Sequence, residues 1–295
     1  MDIRDLRPPV EDGPWPPITF LPPLTSGPLR GARSWVGLSY ALIEGFRPLT
    51  MDVHVPQGPG PHPVVVWVHG GGYVGGDRRL VPLQWGQQSL FERLLAAGIA
   101  VATPDYRLVG EAELPAPVHD LVAAVRYLRR YADELGIDAD RLGVWGESAG
   151  AHLGALAGLA GCAPEPDPWL VGEVGVGHGR ADVSAIVAWY GVFDLTADPD
   201  LQELWPNATT AQRAEWAARC SPVRLLRSDS PSLLLMHGDR DGMVPVGQSI
   251  DMQAAAAAAG ARCELVVVDG SDHVFLGVPI EPQWDRAIDF LLATL

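Results

Sequence analysis

The 295-residue chain carries 36 acidic against 21 basic residues, a net charge of −15, in a composition that is 47% hydrophobic and 19% charged. Such a length buries a full core, and the acidic balance excludes a nucleic-acid binder, which needs clustered cations to meet phosphates. Every basic residue is an arginine, so Schiff-base, Ser-Lys and P-loop lysine chemistries are excluded as well.

Cys162, Cys220 and Cys263 are odd in number and widely spaced, with no Cys-x-x-Cys pair, and read as reduced thiols with no metal site. No apolar run near Met1 is long enough for a signal segment or a membrane span, so a cytoplasmic protein is expected.

Residues 1–30 hold eight prolines interleaved with Trp15, Phe20 and Leu24. Regular structure is not expected there. The reading is a proline-rich arm, residues 1–33, that either packs on the body or covers the mouth of a pocket. Alternation then predicts strands over Ser34–Tyr40 and Leu49–Val55, with a turn at Pro56-Gln57-Gly58-Pro59-Gly60-Pro61. Val64–Val68 is a continuously apolar strand that stops at His69-Gly70-Gly71-Gly72-Tyr73. Three glycines at the carboxyl end of a buried strand let the backbone turn its N–H groups toward a ligand.

A helix over Gln87–Ala97 and a strand over Ile99–Thr103 follow, then Asp105-Tyr106-Arg107-Leu108, where Arg107 is read as holding its loop by ion pairing. A helix over Pro117–Leu135 leads to the strand ending at Glu147 and a small-residue helix from Ala149. Further strands at Ala185–Tyr190, Leu233–His237 and Cys263–Val268 alternate with helices at Val246–Ala259 and Pro282–Leu295. Strands separated by helices predict an α/β fold, a mostly parallel sheet covered on both faces. One domain over residues 1–295 is expected, with residues 163–182 and 191–230 as candidate cap or lid inserts, because both exceed ordinary connections.

The chemistry centres on Leu142-Gly143-Val144-Trp145-Gly146-Glu147-Ser148-Ala149-Gly150, a strand, a tight turn and a helix start. Gly-x-Ser-x-Gly in that setting presents a strained, outward serine, with the Ala149 N–H at a helix N-terminus facing a developing oxyanion. A serine hydroxyl needs a base, and the base needs an orienting group. The loops His237-Gly238-Asp239-Arg240-Asp241 and Gly270-Ser271-Asp272-His273 both follow buried strands and reach the same sheet edge. Ser148, Asp241 and His273 stand in the chain order of α/β-hydrolases. Asp239 and Asp272 are rivals for the acid.

His69-Gly70-Gly71-Gly72, Asp105-Tyr106-Arg107-Leu108, Gly146-Glu147-Ser148-Ala149-Gly150 and the Asp241 and His273 loops together resemble α/β-hydrolase esterases of the hormone-sensitive-lipase type, nearest the bacterial feruloyl-esterase-like (BD-FAE) branch. The resemblance runs from about residue 34 to the C-terminus. It implies an α/β-hydrolase fold with a small cap, Ser148 as nucleophile, His273 as base, Asp241 as orienting acid, and Gly71, Gly72 and Ala149 as oxyanion donors, with no cofactor and no metal. His69 would brace the oxyanion loop, His152 and His237 read as structural, and Glu147 as a hydrogen-bonding support beneath the turn.

Tyr73, Val74, Trp85, Val192, Phe193, Trp205, Val274 and Phe275 flank these loops or lie in the inserts, and are expected to form an apolar substrate pocket. The expected activity is hydrolysis of small to medium carboxylic esters. A peptidase or amidase, an acyltransferase with the same triad and a non-catalytic ligand receptor are the competing readings. A small ester is the expected partner, without nucleic acid or membrane, and a homodimer stays open.

Overall fold

A computed structural model describes residues 27–295 apart from 80, 83–84, 87–88 and 198–203. Most of the proline-rich arm and the expected helix start at Gln87 lie outside the described residues. Among the described residues the strands β1 (Ala32–Ala41), β2 (Leu49–Pro56), β3 (His62–Val68), β4 (Ala100–Pro104), β5 (Ile137–Glu147), β6 (Ala185–Trp189), β7 (Ser232–Gly238) and β8 (Cys263–Val268) form an 8-stranded sheet in the order β1-β2-β4-β3-β5-β6-β7-β8. Only the β1–β2 and β2–β4 pairs are antiparallel; every other pair is parallel. Parallel neighbours end at one edge, so the segments after β3, β5, β6, β7 and β8 converge there.

The helices are α1 (Ser89–Ala96), α2 (Ala116–Arg130), α3 (Ala132–Leu135), α4 (Ala149–Gly161), α5 (Pro168–Val171), α6 (Thr210–Arg219), α7 (Gly247–Ala259) and α8 (Glu281–Thr294). Because successive strand residues point to opposite faces, the sheet sorts its side chains into two cores. Val64, Val66, Val144, Ile186, Ala188, Leu233 and Leu235 meet α2, α4 and α7. Val65, Trp67, Trp145, Val187, Trp189, Leu234 and Met236 meet α1 and α8. The second core holds a chain of indoles packed edge to face: Trp67–Trp145 at 6.0 Å, Trp145–Trp189 at 4.8 Å, Trp85–Trp189 at 5.4 Å and Trp85–Trp284 at 6.2 Å.

The helix expected over Pro117–Leu135 is two pieces. Tyr131, at φ −114° and ψ 26°, leaves helical geometry between α2 and α3, and Gly136 at φ 74° ends the second. The inserts carry two helices that periodicity did not predict. α6 starts on a capping box, Thr209 with Gln212, and buries only Ala217. The inserts grip one another: Arg219 bonds Asp167 at 2.7 Å and lies 3.9 Å above the Trp169 ring, and Trp169 and Trp216 sit 6.2 Å apart. No helix among the described residues is long and apolar enough to cross a membrane.

Arg107 locks the loop after β4 onto α2. Its guanidinium meets Asp120, whose side chain is fully buried, at 2.7 Å, and its own N–H reaches the same carboxylate at 2.8 Å. Burial raises the Asp120 carboxyl, and the hydrogen bonds and charge of Arg107 pull the other way. Removing the arginine strands a buried acid. Arg107→Met is therefore expected to cost about 3–5 kcal/mol, read as a lowered midpoint in equilibrium urea denaturation with an unchanged slope.

Candidate active site

Ser148 sits between β5 and α4 at φ 53° and ψ −122°, a conformation an L-residue adopts only when its surroundings impose it. The imposition is visible on both sides of the turn. Its N–H donates to Trp189 O at 2.9 Å, pinning it to the neighbouring strand. The backbones around it are so close that a Cβ on Gly146 would strike the Gly150 carbonyl, and one on Gly150 the carbonyls of Val68 and His69. Here the two glycines of Gly-x-Ser-x-Gly are steric requirements.

His273 reaches this serine from the loop after β8. Its Nε2 lies 3.1 Å from Ser148 Oγ, and its Nδ1 lies 2.7 Å from Asp241 Oδ2. A carboxylate only accepts, so Nδ1 carries the proton and Nε2 is left as acceptor for the serine hydroxyl. Asp241 is held in turn: Oδ1 accepts the N–H groups of Met243 at 2.9 Å and Val244 at 2.8 Å, and His237 Nε2 stands 3.2 Å from Oδ2. Burial works to raise this carboxyl, but hydrogen bonds from His237 and His273, the His273 charge and the Val244 N–H together hold it well below the usual carboxylate range.

The rival acids are engaged elsewhere. Asp239 Oδ1 accepts Gly270 N–H at 2.7 Å, while Asp272 Oδ1 accepts Gly242 N–H at 2.9 Å and its neighbour His273 N–H at 2.7 Å. Each ties the loop of one candidate residue to the loop of the other. They fix the distance between Asp241 and His273 rather than compete for the ring.

On the far side of Ser148 lies the His69–Tyr73 segment. Among the described residues the N–H groups of Gly71, Gly72 and Ala149 donate to no protein acceptor. The segment is shaped from outside: Tyr106 donates to His69 O at 2.9 Å, and the Tyr106 and His69 rings stack at 4.3 Å. The Gly71 carbonyl takes the N–H groups of Val74 and Gly75. Buried His152 supplies a further brace. Its Nε2 donates to Cys220 O at 2.7 Å, leaving Nδ1 to accept the Tyr73 hydroxyl at 3.0 Å. Burial holds this imidazole down at about 4, so it stays neutral near pH 7. One ring thus connects the glycine loop, the helix behind Ser148 and the end of α6.

The structure gives a different account of most of the expected pocket. Val74 is 73% exposed, but Tyr73, Trp85, Val192, Phe193, Trp205, Val274 and Phe275 are all buried. Trp85 belongs to the indole core and donates its Nε1 to Val274 O at 3.2 Å. Phe275 lies 4.9 Å from Trp189 and 5.0 Å from Tyr190, and Tyr190 packs 4.8 Å from the His273 ring. These side chains support the histidine turn from below. Trp205 spends its Nε1 on Leu114 O at 2.7 Å. Sequence reasoning missed Tyr190 and the 61% exposed Met243, which adjoins the Asp241 turn; the position of Tyr190 just past a buried strand was the available signal.

Two outcomes follow for stability. Tyr73→Phe leaves His152 Nδ1 buried without its donor and is expected to cost about 1–3 kcal/mol, measured by chemical denaturation. Asp241 has a depressed folded pKa, so its contribution is present above the unfolded value, about 3.9, and is lost as pH falls below it. Asp241→Asn should therefore flatten the decline of thermal stability below about pH 4, a loss that an unchanged acid profile would contradict.

The sequence profile of the BD-FAE family matches residues 51–255. The chain is 28% identical over 225 residues to Esterase LipC of Mycobacterium tuberculosis, covering 73% of this chain and 53% of that protein. It is 30% identical over 209 residues to Esterase LipQ of the same organism, covering 68% and 47%. It thus spans about half the length of these curated relatives. Among solved structures, a truncated carbohydrate esterase from gut microbiota superposes with a TM-score of 0.76 at 24% identity, over 91% of this chain and 99% of that one. Propionate-bound esterase 2 of Thermogutta terrifontis gives 0.70 at 25%, over 90% and 94%. With the sheet order and the profile match over well over half its length, the chain belongs to the BD-FAE family of α/β-hydrolases.

Proposed function

We propose that this chain is a serine carboxylesterase that hydrolyses small to medium carboxylic esters through an acyl-enzyme on Ser148. The observation that carries the reading is the continuous chain from Ser148 Oγ through His273 to Asp241, at 3.1 and 2.7 Å, beside a glycine loop and a helix start whose N–H groups at Gly71, Gly72 and Ala149 donate to nothing among the described residues. The printed names of LipC and LipQ support it.

In this mechanism Ser148 Oγ attacks the ester carbonyl while its proton passes to His273 Nε2. Asp241 keeps Nδ1 protonated and balances the imidazolium. The carbonyl oxygen, now an anion, takes hydrogen bonds from Gly71, Gly72 and Ala149 N–H. As the carbon–oxygen bond to the alcohol breaks, His273 returns the proton to the departing oxygen. Water then attacks the acyl carbon, gives its proton to the same nitrogen, and Ser148 leaves and recovers it. Ester and water go in, acid and alcohol come out, and the protein is unchanged.

Val74 and Met243 are the exposed apolar side chains beside the glycine loop and the Asp241 turn, and they suit the hydrocarbon part of an ester better than a charged one. The unpaired Cys162, Cys220 and Cys263 support a reducing compartment, in keeping with a cytoplasmic enzyme acting on a dissolved substrate.

The test is hydrolysis of p-nitrophenyl esters from acetate to long chain by wild type and Ser148→Ala. Wild type is expected to cleave the short esters best, and the variant to lose on the order of 10⁴-fold or more in kcat. A reactive phosphonate should add mass to wild type only. Wild-type turnover that survives loss of the hydroxyl overturns the assignment.

A further inference from the structure

The elbow residue just before Ser148 is in contact with both halves of the site. Glu147 is only 4% exposed, and its Oε1 accepts the Gly70 N–H at 2.6 Å. Gly70 lacks a side chain for a matching reason, since a Cβ there would enter the space that the Glu147 carboxyl fills. Gly71 and Gly72, whose N–H groups donate to nothing among the described residues, are the next links in the chain. Their aim is therefore set one residue upstream, by a carboxyl on the neighbouring strand.

Four elements bring groups to Glu147. They are Gly70 N–H after β3, the phenol of Tyr106 after β4, the phenol of Tyr190 after β6, and His273 after β8. No arginine is among them, and His273 supplies the positive charge only when protonated. Burial pushes the Glu147 carboxyl up to about 7, against the pull of His273, the Gly70 N–H and Tyr190. The group changes charge close to neutral pH.

We propose that Glu147 is a positioning residue that, as a carboxylate, fixes the glycine loop through Gly70, and that loosens it when it takes up a proton. The proposal rests on the esterase reading of the same site. A charged acceptor holds an N–H about twice as strongly as a neutral one, and displaced oxyanion donors are costly because the anion is met by preorganised groups or not at all. Activity should then carry a contribution from the ionisation of Glu147 on its acid side.

The buried charge also has a stability signature independent of turnover. Glu147 has a raised folded pKa, so the folded protein keeps a proton that the unfolded chain loses above about pH 4.3. Stability from this group is full below that value and is lost as pH rises through about 7. Glu147→Gln, neutral throughout, escapes that loss.

The experiment compares wild type, Glu147→Gln and Ser148→Ala, with kcat and KM for p-nitrophenyl acetate from pH 5 to 9 and Tm at pH 5 and 8.5. Glu147→Gln is expected to lose on the order of tenfold in kcat at pH 8 with KM nearly unchanged. Its acid limb should fall less steeply than that of wild type, and its Tm relative to wild type should be higher at pH 8.5 than at pH 5. Equal kcat and equal limbs overturn the proposal, and so does a Tm difference that ignores pH. If wild type cleaves no ester, the esterase reading fails by itself, and the Tm comparison still decides for or against the ionisation of Glu147.

Discussion

The backbone of Ser148 is the constraint on which the rest of the structure depends. At φ 53° it occupies a region that costs an L-residue on the order of 1–3 kcal/mol, and the fold must outweigh that cost locally. It does so with a hydrogen bond to Trp189 O, a helix whose first three turns are almost wholly buried, and two positions where no side chain fits. The remaining non-glycine residues with positive φ among the described residues are Tyr73, Tyr190, Val274 and Phe275. Each lies beside the serine or its histidine. Strain in the described residues is thus concentrated in one place and carried by a closely packed part of the molecule.

That close packing comes from a division of labour between the two faces of the sheet. On one side α4 is pressed against β3, β5 and β6, so the serine cannot recoil. On the other, Trp85, Trp189 and Phe275 lie under the histidine turn, so the imidazole cannot sink. Asp239 and Asp272 then exchange hydrogen bonds between the two remaining loops. Geometry that depends on three separate segments is held by contacts that cross between all three.

Much of this was legible in the sequence because it is local. Gly146, Ser148 and Gly150 state a steric problem and its solution within five residues, and the alternation of apolar strands with helices sets which loops share an edge. The facing of apolar side chains was not legible. Trp85, Val274 and Phe275 stand next to the loops of the site in the chain, yet the pleat and the register of strands far away turn them into the core. The inserts were opaque for a similar reason. α6 has almost no apolar stripe to announce it, although Thr209 and Gln212 did spell a capping box. Tyr131 ends α2 at a point where propensity alone continues the helix.

The chain of indoles has an optical consequence. Trp67, Trp85, Trp145, Trp189 and Trp284 stand edge to face at 4.8 to 6.2 Å, close enough for their excited states to couple, and the chain runs on through Phe275 to Tyr190, which packs on the His273 ring. The near-ultraviolet circular dichroism and intrinsic fluorescence of this protein are therefore reports from the core that packs against the His273 turn. Any movement of the His273 imidazole is written into a signal that needs no added label.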